Sequence, residues 1–82
     1  MIVEVMVAKE KAGKMPKGAM EALREELTKR LSRSYDDVSV VVKTASNDGL
    51  SLLRAKDKEG DREIVSKVLQ DAWESADDWF HG

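Results

Sequence analysis

Residues 61–80 constrain the fold more than any other stretch. Wound at 100° per residue, they divide into two sides. Ile64, Val65, Val68, Leu69, Ala72, Ala76 and Trp79 share one side, with Trp73 and Phe80 at its borders. Glu63, Gln70, Asp71, Glu74, Asp77 and Asp78 face the other way. A helix built like this must bury its apolar stripe against another layer. In a chain of 82 residues that layer belongs to one small core, so residues 1–82 form a single domain.

The charges on this stretch are unbalanced. Residues 1–60 hold twelve bases against ten acids, net +2, while residues 61–82 hold two bases against six acids, net −4. From Val68 to Gly82 there are four acids and no Lys or Arg. Carboxylates near a helix C-terminus oppose the macrodipole by about 0.3–1 kcal/mol each. Helix stability therefore does not explain their presence.

The preceding chain supplies the other layer. Residues 2–8 alternate, with Val3, Val5 and Val7 on the core face and Ile2, Glu4, Met6 and Ala8 opposite. Residues 9–17 contain Gly13, Pro16 and four lysines and read as a connection. A helix starts near Pro16 to Gly18 and runs to about Ser34, with Ala19, Met20, Leu23, Leu27 and Leu31 as its stripe. Glu25–Lys29 and Glu26–Arg30 are favourable i,i+4 pairs on it. Residues 38–44 form a second strand with Val38, Val40 and Val42 inward and Val41 outward. Ser46-Asn47-Asp48-Gly49 reads as a hairpin turn into a third strand over residues 50–55, with Leu50 and Leu52 inward and Leu53 outward. Asp57 or Asp61 is placed to cap the last helix. The expected fold is α/β in the order β-α-β-β-α, a three-stranded mixed sheet with two helices packed on one face.

Several function classes fall away. The chain has no cysteine, so it has neither a disulfide framework nor a thiolate metal site. No signal-peptide pattern and no apolar run near the ~20 residues of a membrane span is present, and a cytoplasmic protein is expected. The only histidine, His81, is next to the last residue, and no catalytic constellation can be assembled around it. Asp36-Asp37 lacks the spacing of a calcium loop, and Gly13 and Gly18 lack that of a nucleotide loop. The expectation is a protein that is no enzyme and carries no cofactor or metal. Net charge −2 speaks against general affinity for nucleic acid.

Three surfaces remain as binding candidates. The carboxylates of Glu63, Asp71, Glu74, Asp77 and Asp78, with Trp73 beside them, form either a solvated helix face or a face for a basic partner. Lys9, Lys11, Lys14 and Lys17 with Arg33 form the basis of a small nucleic-acid-binding module. Ile2, Met6, Val41 and Leu53 on the open sheet face suit a protein-binding scaffold.

The octapeptide Trp73-Glu74-Ser75-Ala76-Asp77-Asp78-Trp79-Phe80 resembles the C-terminal signature of the DinI family. Further pieces agree in order: Glu4-Val5, Ala8-Lys9, Pro16 followed by Gly18-Ala19, Ala22-Leu23, Glu26-Leu27, Arg30 and Val38-Ser39-Val40. Residues 9–17 and the ending Phe80-His81-Gly82 depart from the founding member's pattern. The resemblance implies a small SOS-response protein, as much a prophage or plasmid copy as a chromosomal one. It implies a monomer that binds the RecA recombinase filament through an acidic helix imitating the DNA backbone. It implies no tight binding to nucleic acid itself and none to membranes. Asp71, Glu74 and Asp78 follow i, i+3, i+7 spacing, so in an unbroken helix they rise by about 4.5 and 6 Å. The phosphates of one DNA strand rise by about 3.4 Å each, a charge row of comparable density.

Overall fold

The alternating residues at the start of the chain become the middle of the sheet. β1 (Ile2–Ala8) pairs in parallel with β2 (Ser39–Ala45) and antiparallel with β3 (Gly49–Leu53), giving the strand order β2-β1-β3. The computed structural model describes residues 1–15 and 18–79. Val3 lies opposite Val40 and Leu52, and Val5 opposite Val42 and Leu50, so one face of all three strands is apolar. Against that face pack α2 (Ala19–Leu31) and α3 (Lys58–Glu74), with two four-residue helices, α1 (Lys9–Ala12) and α4 (Ala76–Trp79), at their margins. Leu23, Leu27 and Leu31 are fully buried between α2 and the sheet, and Val65 and Ala72 are the buried residues of α3. The expected three-stranded mixed sheet with two long helices on one face is the fold found.

The opposite face is open. Val41 and Leu53 are exposed on it and Ile2 and Met6 half-buried, as the alternation requires. Glu4 and Lys43 cross it as an ion pair at 3.0 Å.

Boundaries moved for local reasons. α2 begins at Ala19 because Gly18, with φ of 85°, turns the chain into it, and it ends at Leu31, whose carbonyl accepts from Ser34 and Tyr35. The expected start at Pro16 lies outside the described residues. Of the two i,i+4 pairs, Glu26–Arg30 forms at 2.9 Å, whereas Glu25 meets Arg24 instead. Residues 9–17 are not merely a connection, since Lys9–Ala12 make one helical turn directly after β1. β3 spans Gly49–Leu53, one residue earlier at its start and two shorter at its end than residues 50–55.

The hairpin expectation fails. β3 pairs with β1 and not with β2, so residues 46–48 reverse the chain across the end of β1. Asp48 Oδ1 accepts the Ala8 amide there at 2.7 Å. Turn-forming residues fix a reversal of direction but not the neighbour. Two strand spacings are about 9.6 Å, within reach of three linking residues. Insertion of β1 between β2 and β3 gives the valine-rich strand ladder partners on both edges.

No helix among the described residues is long and apolar enough to cross a membrane.

Candidate functional site

α3 is capped at its start by Asp57, whose carboxylate accepts the Gly60 amide at 3.3 Å. Asp61, the other candidate cap, accepts instead from the Tyr35 hydroxyl at 2.9 Å and from the Asp57 amide at 3.4 Å. Burial raises the Tyr35 pKa above its ordinary value, and the hydrogen bond to Asp61 and the charges of Asp61 and Asp57 push the same way. These contacts tie the start of α3 to the segment leading into β2.

The buried stripe of α3 is narrower than its apolar residues suggest. Val65 and Ala72 define its centre, and Val68 and Leu69, each about 50° away, are half-buried. Ile64 and Trp73 sit about 90° to either side. Ile64, expected in the stripe, is 46% exposed, with no described element covering that flank. Trp73 is half-buried because α1 covers the other: Lys11 Nζ stands 4.6 Å from the Trp73 ring centroid.

The expected single helix over residues 61–80 does not persist. α3 ends at Glu74, Ser75 takes φ of −107° and ψ of 24°, and α4 follows. Ser75 Oγ donates to the Asp71 carbonyl at 2.8 Å and accepts from Arg30 Nη2 at 2.9 Å. Glu26 holds that guanidinium at Nε. α2 thus brings a cation to the end of α3, where the sequence places none. Trp79 Nε1 donates to the Ala72 carbonyl at 2.7 Å, so the last described turn tucks against the end of α3. Trp79 packs on the core as expected, by this return and not by its angle on a continuous helix. Phe80 lies outside the described residues.

This break divides the carboxylate row. Asp71 and Glu74 stand on α3, and Asp77 and Asp78 on α4; all four are exposed. Even spacing along one axis is lost, but the grouping at one end of the molecule is kept. Among the described residues no side chain pairs with the carboxylates of Asp71, Asp77 or Asp78, and Glu74 accepts only from Gln70, at 3.3 Å. Glu63 belongs elsewhere. Lys67, one turn beyond it on the same face, separates it from Asp71, and both share a shallow surface with Arg62. That spacing was readable in the sequence. The parts played by Lys11, Arg30 and Ser75 were not, since each depends on a residue far away in the chain.

The lysine cluster is only partly assembled. Lys9, Lys11 and Lys14 are exposed just past the end of β1, and Lys17 lies outside the described residues. Arg33 follows α2 near the other end of the sheet, where β2 begins opposite Ile2. Lys11 is already committed to Trp73 and, at 3.8 Å, to Asp48.

Comparison with known proteins agrees with the signature at residues 73–80. Residues 16–80 match the model of the DinI-like family. A DinI-like protein of prophage CP-933V in Escherichia coli O157:H7 is 58% identical over 80 residues, covering 98% of each chain. DNA damage-inducible protein I of Serratia marcescens is 44% identical over 80 residues, covering 98% of this chain and 96% of its own. DNA damage-inducible protein I of Escherichia coli K12 is 39% identical over 82 residues, with the same coverage. The chain is therefore more similar to the prophage copy than to either DNA damage-inducible protein.

Proposed function

We infer that this chain, which belongs to the DinI-like family, is a non-enzymatic modulator of the RecA recombinase filament in the SOS response to DNA damage. Relatives named DNA damage-inducible protein support the setting. One observation carries the mechanism: four exposed carboxylates gather where α3 ends and α4 begins, and three of them have no partner among the described residues. Two of them, Asp71 and Glu74, sit in the last turn of α3, where the macrodipole disfavours them. Such a surface attracts a basic one. In this reading Asp71, Glu74, Asp77 and Asp78, with Trp73 beside them, approach the basic loops of RecA at or near the path of DNA. They act as a short imitation of its backbone in a cytoplasmic, monomeric protein. Glu63, next to Arg62 and Lys67, contributes at most at the margin.

The test is filament binding by wild type and by a variant carrying Asp71→Asn, Glu74→Gln, Asp77→Asn and Asp78→Asn. Each substitution keeps shape and removes charge. Exposed charges are screened beyond about 8–10 Å near physiological salt. Wild-type binding should therefore weaken as salt rises, and the neutral variant should bind at least tenfold more weakly with unchanged circular dichroism. A folded neutral variant that binds as tightly as wild type would show the carboxylates to be a solvated face. Submicromolar binding of the wild type to free DNA at physiological salt would favour the lysine-based reading instead.

A further inference from the structure

We propose that the cleft between β3 and α3 is a receptor for one basic side chain of a protein partner, arginine above all, and that Lys11 takes its cation position in the free protein as an internal surrogate. The cleft is open to solvent and has a volume of about 420 Å³. Leu50, Leu69 and Trp73 supply its apolar lining, and Asp48, Gln70 and Glu74 its polar rim. Lys11 reaches in from α1, with Nζ 4.6 Å from the Trp73 centroid and 3.8 Å from Asp48 Oδ2. An indole face beside a carboxylate is a cation site by its electrostatics: the ring presents its negative face and the carboxylate a full charge.

The receptor groups have anchoring contacts of their own, whereas the occupant stands on a single helical turn. The Asp48 carboxylate is held by the Ala8 amide at 2.7 Å, and Trp73 packs against the core. Lys11 stands on a helix of four residues, and about half of its side chain is exposed. With Lys11 in place the cleft still keeps that volume open. A guanidinium is planar and less strongly hydrated, stacks on an aromatic face and forks onto a carboxylate, so it fits the site better than lysine does. Glu74 belongs both to the rim and to the acidic surface. A basic protein docked on that surface therefore has this cleft within reach. In that respect the inference rests on the proposed function, although the site itself is defined without RecA.

The probe is N-acetyl-arginine N-methylamide, titrated into the ¹⁵N-labelled protein and followed at the Trp73 indole N–H, assigned with Trp73→Phe. N-acetyl-norleucine N-methylamide is the uncharged control. The arginine probe should shift the indole and the Asp48 and Gly49 amides, and the control should not. Lys11→Ala should bind the probe at least threefold more tightly than wild type. Lys9→Ala, which removes the same charge from the same helix without touching Trp73, should change binding less than twofold. Asp48→Asn should weaken binding in the Lys11→Ala background. Equal responses of Lys11→Ala and Lys9→Ala, or shifts confined to residues 71–78 with none at the indole, would overturn the inference. Because RecA is absent, failure here leaves the carboxylate mechanism standing, and failure of filament binding leaves this site standing.

Discussion

The two ends of α3 both carry acids, and the acids do different work. At its start, Asp57 caps the helix by accepting the Gly60 amide, and Asp61 accepts the Tyr35 hydroxyl. Carboxylates there also suit the positive end of the macrodipole. At its finish, Asp71 has no side-chain partner among the described residues, and Glu74 has only Gln70. Two cations reach this end, and neither pairs with those acids: Arg30 binds Ser75 and Glu26, and Lys11 stands over Trp73 and beside Asp48. Folding accounts for the first set. The second set costs stability and is therefore the better guide to function.

If both ends rest on one core, a cut through that core should loosen both. Leu27 is fully buried in the core shared by the sheet and α3. Leu27→Ala should cost about 2–5 kcal/mol in urea unfolding, with Tyr35 and Trp79 reporting the same transition. Separate transitions for the two reporters would mean that the ends are independent units, and the comparison would lose its common reference.

The next effect belongs to the start alone. Asp57→Ala should lower stability by about 1 kcal/mol through loss of the cap. The four-fold neutral variant should show no such loss. A destabilisation of similar size in that variant would put the carboxylates at the finish to structural use and erase the contrast.

Tyr35 sharpens it further through pH. Its pKa is raised in the folded state by burial, by the bond to Asp61 and by the neighbouring negative charges. The stability this brings is complete below the unfolded value of about 10 and is lost as pH rises through the higher folded value. Urea melts from pH 9 to 11.5 should show that alkaline loss in wild type and a smaller one in Tyr35→Phe. Identical slopes would mean that the Tyr35–Asp61 contact does not hold the start of α3.

The smallest effect is at the finish. Asp71→Asn or Glu74→Gln should raise the stability of the isolated protein by a few tenths of a kcal/mol each, since each removes an unfavourable interaction with the macrodipole. A loss in either would reveal a favourable contact that the geometry does not show.

Much of the fold was legible because it is periodic. Val3, Val5 and Val7 announced a half-buried strand, Val40 and Leu52 its neighbours, and Leu23, Leu27 and Leu31 a helix stripe; all are buried. Asp71 and Glu74 were legible as one side of α3, because a helix places residues three apart side by side, whereas the place of Asp77 and Asp78 on α4 was not. What failed had one cause. Ile64 looked like its stripe neighbours, but burial depends on what lies opposite, and no described element covers it. Asn47-Asp48-Gly49 promised a reversal and delivered it, yet left open which strand would lie alongside.

Local pattern determined the three strands and the two long helices, their inward faces and the excess of negative charge at the end of the chain. Tertiary structure decided three further things: the central place of β1, the end of α3 at Ser75 under Arg30, and the seating of Lys11 on Trp73. Each joins residues between 45 and 62 positions apart or orders strands that a turn alone cannot order. Side-chain periodicity reports the direction a residue faces, and it carries no information about which distant group will meet it there.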